Sequence, residues 1–238
     1  MSQSVAWLSM FFCLILLMGL MTKSVAASAF GARYCDNPEF HCIKIQRGDT
    51  WETLWPSYRE RDVVKRLNRM NIPLRAGMLI AVPNDLAYVE ANDIAPFARQ
   101  IVPPGEKLLI FAQKHLAWVA YDAQGRLLRW GPASGGQGYC ADVGRSCRTV
   151  TGEFRIQHKR GAYCKSSKYP LGRGGAPMPH CMFFHGGYAF HGSPEVPGYH
   201  ASHGCVRMFN QDAQWLNQEF IEVPRGGASG TRVIIESL

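Results

Sequence analysis

Between residues 183 and 208 the chain reads F-F-H-G-G-Y-A-F-H-G-S-P-E-V-P-G-Y-H-A-S-H-G-C-V-R-M. His185, His191, His200, His203 and Cys205 fall in this one stretch, interleaved with Gly186, Gly187, Gly192, Gly198 and Gly204. A thiol with an ordinary pKa near ~8.5 is only about 3% thiolate at pH 7, so a nucleophilic cysteine needs a base or a cation beside it. Histidine is the side chain best suited to take that proton near neutrality. Small residues around Cys205 let a substrate carbonyl approach the sulfur, and leave the N–H groups of Gly204 and Cys205 as candidate oxyanion donors. The residues therefore describe a thiol-nucleophile site.

His191 and His203 compete for the role of base. His203 is two residues from Cys205, so in an extended segment both side chains project to one face. A carbonyl of the Gly192-Ser193 turn is placed to fix the tautomer of His191. Zinc is the rival chemistry for a histidine- and cysteine-rich stretch. There is no C-x-x-C or H-x-x-x-H pairing, and His203-Gly204-Cys205 is too tight for a structural pair, so no metal and no cofactor are expected.

Ser202-His203-Gly204-Cys205-Val206-Arg207, with His191-Gly192-Ser193 upstream, resembles the signature of the L,D-transpeptidase (YkuD-type) catalytic domain. The resemblance implies a cell-wall enzyme that acts on peptidoglycan stem peptides through a cysteine thioester. It implies that Cys205 is the nucleophile, that His191 is the base, and that His203 supports the site. Arg207 would hold a stem-peptide carboxylate, and Ser202, Gly192, Ser193 and Tyr188 would line the substrate cleft. Thr149-Val150-Thr151-Gly152-Glu153-Phe154 is similar to a strand entry of the same family.

Positioning such a site takes a folded domain, and 238 residues suffice for one domain and a smaller companion. Residues 5–21 are almost purely apolar and small residues follow Lys23, so residues 1–29 read as a secretory signal peptide, with an uncleaved anchor as the alternative. Cleavage leaves no stable membrane span. Of the eight cysteines, Cys13 lies in that leader. The remainder, Cys35, Cys42, Cys140, Cys147, Cys164, Cys181 and Cys205, are odd in number. In an oxidising compartment one of them stays free. Local spacing suggests the pairs Cys35–Cys42, Cys140–Cys147 and Cys164–Cys181 among the roughly fifteen connectivities that six cysteines permit, and these would leave Cys205 as the thiol. A formal net charge of +8 suits an acidic polymer such as a peptidoglycan wall. No recognition helix or dense basic block points to nucleic acid.

Residues 42–85 suggest a strand, a helix begun by Asp49 or Thr50, a second helix over 61–70 and a returning strand over 78–82. Gly48-Asp49-Thr50, Leu67-Asn68-Arg69-Met70-Asn71 and the Gly77-Met78 segment are similar to a LysM module. That resemblance implies a small α+β (βααβ) LysM-like domain over 36–85 that binds N-acetylglucosamine-containing glycan strands. Residues 86–105 lack periodicity and read as a linker. From 106 to 238 short apolar runs alternate with turns, with one good helix at 212–220. This predicts a mostly β catalytic domain, which the resemblance makes a β-sandwich with one or two helices. The functions to separate are a periplasmic or wall-associated L,D-transpeptidase, with L,D-carboxypeptidase as a side activity, and a secreted peptidoglycan-binding protein whose catalytic domain is inactive.

Overall fold

A computed structural model describes residues 30–169 and 176–238; the expected leader at 1–29 lies outside them. The N-terminal unit pairs β1 (Phe40–Lys44) with β2 (Leu79–Pro83) antiparallel around α1 (Trp51–Leu54) and α2 (Tyr58–Leu67). Thr50 caps α1 by accepting the Thr53 N–H, and Ser57 caps α2 by accepting from Glu60. The second helix therefore starts earlier than its apolar residues suggest and stops at Leu67. Arg69, at a φ of 56°, cannot continue it. Trp51, Trp55, Val64, Met70, Ile80 and Val82 form the core of this unit.

The remainder is built on one nine-stranded sheet in the order β6-β11-β3-β4-β5-β10-β9-β8-β7. Its strands are β3 (Leu108–Ala112), β4 (Ala117–Tyr121), β5 (Leu127–Ser134), β6 (Gly152–Arg155), β7 (His158–Lys159), β8 (Met182–His185), β9 (Tyr188–Gly192), β10 (Val206–Met208) and β11 (Arg232–Ile235). The expected sandwich is thus one continuous sheet curled on itself. The hinge is β5, which runs on past Gly131 and Pro132 to Ser134. Its first part pairs with β4, while Ala133 and Ser134 pair with β10. Gly131 is required at this bend, because a Cβ there would lie 2.3 Å from Asp212 Oδ2.

Alternation along the strands separates two cores. Leu109, Phe111, Trp118 and Ala120 face Met182, Phe184, Phe190, Val206 and Met208 across the inside of the curl. Leu108, Val119, Tyr121 and Trp130 face outward, where Ile94, Phe97 and Ile101 cover them. The segment expected as a linker is therefore a packed strap, held by Trp130 Nε1 donating to the Ala91 carbonyl (2.7 Å) and Tyr121 Oη donating to Ala98 (2.9 Å). Both faces of β3 and β4 are buried, which explains their unbroken apolar runs. The expected helix at 212–220 is α3 (Asn210–Trp215) continued by a π turn, Leu216–Phe220.

The N-terminal unit is fastened to the sheet by buried charge. Arg66, 2% exposed, donates to both Asp212 carboxylate oxygens (3.0 and 2.8 Å) and to the Trp130 carbonyl (2.7 Å), and Arg129 shares Asp212. Burial opposes the charge on Arg66, but Asp212 and Asp62 outweigh it and raise its pKa. Arg69 is buried as well, without a carboxylate. It lies against the Trp130 and Phe30 rings and donates to the His115 carbonyl (3.0 Å). No described helix is long and apolar enough to cross a membrane.

Candidate active site

The site is organised by the parallel pairing of β9 and β10, which sets His191 opposite Arg207 and Phe190 opposite Val206. Phe190, Val206 and Met208 point into the central core. His191 and Arg207 must then face the opposite side, and Cys205, two residues before Arg207, lies on that side too. Cys205 packs there with Met178, Ala189 and the Cys164–Cys181 bridge. The sheet's alternation thus puts thiol, imidazole and guanidinium on one face.

His191 is 6% exposed, and its Nδ1 lies 2.9 Å from the Gly192 carbonyl. A carbonyl only accepts, so Nδ1 carries the hydrogen and Nε2 is left as the basic nitrogen. Burial lowers the pKa of His191 to about 4; the Gly192 hydrogen bond opposes that shift and the Arg207 charge adds to it. Burial raises the Cys205 thiol above its ordinary value, against an N–H from Ala189 and the Arg207 charge. Cys205 Sγ lies 3.6 Å from the Gly187 carbonyl, the acceptor for its hydrogen. Among the described residues no hydrogen bond joins Cys205 to His191. At neutral pH the resting pair is a thiol just ahead of β10 and a neutral imidazole on β9.

All three expected cysteine pairs are present as disulfides: Cys35–Cys42, Cys140–Cys147 and Cys164–Cys181. Cys205 is the free cysteine among the described residues. Ligand atoms of Cys140, Cys147 and His203 lie within 4.8 Å of one another, but the two sulfurs are joined in a bridge and offer zinc no thiolate.

His203 sits apart from His191. Its Nε2 meets both Asp142 carboxylate oxygens (3.0 and 2.8 Å), and its ring stacks on Tyr169 at 4.8 Å. Asp142 comes from the loop closed by Cys140–Cys147, and its part in the site was not foreseen from the sequence. An acid within so short a cysteine loop, whose side chain has few directions to take, was the available signal.

Several residues expected to bind substrate are instead occupied in building the turn. Ser202 is 2% exposed; its Oγ donates to the Cys205 carbonyl and accepts the Gly204 N–H at 3.0 Å. The Ser202 hydroxyl hydrogen and the Gly204 N–H are thus both engaged within the turn. Gly204 is nevertheless indispensable: at a φ of 123° a Cβ would meet the Tyr188 ring at 2.7 Å. Thr149 Oγ1 completes the turn by donating to the Gly204 carbonyl (2.9 Å) and accepting the Gly136 N–H (2.8 Å). Gly192 donates to the Pro179 carbonyl, and Ser193 donates to Met208 through its N–H while its Oγ accepts from Glu195. Both are scaffold here. Arg207 Nη1 lies 3.6 Å from Glu195, a loose contact that leaves the guanidinium available. His200 braces the turn by accepting the Gly135 N–H (3.0 Å) on Nδ1, with Nε2 3.2 Å from the Gln113 carbonyl. A groove of about 710 Å³ between β6, β8 and residues 224–230 includes neither Cys205 nor His191.

Residues 107–235 match the model of the YkuD family, the L,D-transpeptidase catalytic domain. The chain is 30% identical to an L,D-transpeptidase from Xylanimonas cellulosilytica of known structure, covering 68% of this chain and 73% of that one, with a TM-score of 0.50. L,D-transpeptidases from Stackebrandtia nassauensis (17% identity, TM-score 0.46) and Mycobacterium smegmatis (20%, 0.43) also match. They cover 60% and 56% of this chain, which spans 61% and 59% of theirs. No curated protein matches. The curled sheet and the match over its whole length define an acyl-transfer enzyme. The chain belongs to the YkuD L,D-transpeptidase family.

Proposed function

We propose that this protein is a periplasmic or wall-associated L,D-transpeptidase that works through a thioester on Cys205. The observation that carries the reading is one unbridged thiol on the same sheet face as an imidazole whose Nδ1 is tied to a carbonyl. Three disulfides fit maturation in an oxidising compartment.

Because the resting pair is neutral, attack and proton transfer are coupled. The Cys205 hydrogen passes to His191 Nε2 as Sγ bonds to the carbonyl that follows the L-centre of the third residue in a tetrapeptide stem. Arg207 favours the developing thiolate, and the Cys205 N–H is the donor we assign to the oxyanion. Collapse breaks the amide bond. The proton on His191 goes to the departing amine of the terminal D-residue, and a thioester remains. An amine of a neighbouring stem then attacks, gives its proton to His191, and the thiol is restored as the cross-link forms. Water in place of the amine makes the same enzyme a carboxypeptidase. His203, oriented by Asp142, borders the site and supports the acyl donor. The 36–85 unit is proposed to hold glycan strands. Trp51 does not serve as its binding platform, since it is 4% exposed and donates to the Ile72 carbonyl (2.8 Å).

The test is incubation with a disaccharide-tetrapeptide followed by product mass analysis. Loss of the terminal D-residue with a cross-linked dimer, both abolished in Cys205→Ala, is the expected result. Binding to sacculi without any product would assign the protein to wall binding alone.

A further inference from the structure

We propose that Asn71, in the N-terminal unit, is a positioning residue of the acyl-transfer site, a role that rests on the Cys205–His191 reading. Residues 193–198 leave the base, His191, and lead to the Ser202–Cys205 turn, so any movement in them is felt at both ends. The Asn71 carboxamide grips this loop from two sides. Its Nδ2 donates to the Ser193 carbonyl (3.0 Å), and its Oδ1 accepts the Val196 N–H (2.8 Å). The Asn71 N–H also donates to the Val196 carbonyl at 3.0 Å, and Met70 and Pro197 form an antiparallel bridge beside it. An amide supplies both the donor and the acceptor at any pH, whereas a carboxyl does so only when protonated.

The grip is anchored on the far side. Asn68 takes the Ala81 N–H (2.9 Å) and donates to the Val64 and Ala81 carbonyls, locking the end of α2 to β2. Arg66 fixes the same helix to Asp212 and Trp130. Within the catalytic domain, the loop's restraints are the Ser193 N–H on Met208 and the Glu195 N–H on Ser193 Oγ. The unit resembling a glycan binder therefore completes the active-site wall. The two asparagines of its L-N-x-x-N motif are engaged with protein.

Full-length Asn71→Ala, Asn71→Asp and, as a control in the same unit, Asn84→Ala separate this role from a purely structural one. Asn84 holds His41 and Pro38 and does not touch the loop. The readouts are the melting temperature, the rate of Cys205 acylation by a carbapenem, and the ring resonances of His191. Asn71→Ala is expected to slow acylation roughly 10- to 100-fold, as an ångström-scale misplacement does, and to shift the His191 resonances. Asn84→Ala should do neither. In Asn71→Asp the ionised carboxylate repels the Ser193 carbonyl at pH 8, whereas acidification towards the ordinary carboxylic-acid pKa of about 4 protonates it and restores a donor. Its rate relative to wild type should therefore recover as pH falls. Acylation of Asn71→Ala within twofold of wild type, or an Asn71→Asp deficit independent of pH, would overturn the proposal. Absence of any wild-type adduct would instead refute the Cys205 reading, and unmoved His191 resonances in Asn71→Ala would then still overturn this one.

Discussion

The two histidines nearest Cys205 are held by opposite means. His191 lies in a strand, its position set by main-chain register against β10 and its ring oriented by the next residue's carbonyl. His203 lies in a turn, and its ring is fixed by side chains, Asp142 and Tyr169, that arrive from other segments. Register against a buried strand is hard to shift, because slipping by one residue would send Phe190 to the surface. A side-chain clamp on a partly exposed loop is easier to lose. Substitutions at the two rings can therefore be told apart by experiment.

The largest expected effect breaks that contrast at its stronger side. His191→Ala should lower the rate of carbapenem acylation by roughly 10²- to 10⁴-fold, the usual contribution of a positioned base, while leaving the disulfides intact. Equal losses in His191→Ala and His203→Ala, read by intact mass over time, would erase the distinction.

Next in size is the foundation under β9 and β10. Asp212→Ala leaves buried Arg66 with Asp62 as its remaining carboxylate and strips Arg129 of its partner, and should cost up to roughly 3–5 kcal/mol in denaturant unfolding. A loss below 1 kcal/mol would show that water replaces the carboxylate.

A pH dependence sharpens the same contrast. His191 has a folded pKa of about 4 against an ordinary 6.5, so in that window the unfolded chain binds a proton that the folded one refuses. Its contribution to stability is complete above pH 6.5 and is lost as the pH falls towards 4, by roughly 3 kcal/mol. His191→Gln should flatten that part of the stability profile.

The smallest effect is expected on the His203 side. Asp142→Asn keeps the size of the clamp but removes its charge, and should slow acylation by about tenfold or less. A larger fall than in His191→Ala would transfer the principal role to His203.

How far the site could be read from sequence follows from what determines each part. The disulfides were legible because cysteines close in sequence close short loops, and the odd count pointed to Cys205. The strands of the sheet were legible from apolar runs. Their joining into one curled sheet was not, since it depends on β5 passing beneath Asp212, a contact with no local signature. Gly204 and Ser202 were legible as members of the turn, but their hydrogen bonds were not, because a motif shows which residues gather and not where their hydrogens go. Asp142 and Asn71 were missed as site residues for one reason: each reaches the site across a long sequence separation.

The enzymatic reading turns on Cys205 being the working thiol among the described cysteines. Its most direct test is a non-reducing peptide map of the protein after incubation with a carbapenem. The account requires one adduct, on the peptide carrying Cys205, with Cys35–Cys42, Cys140–Cys147 and Cys164–Cys181 still bridged. A Cys205 found in a disulfide, or an adduct that persists in Cys205→Ala, would contradict it.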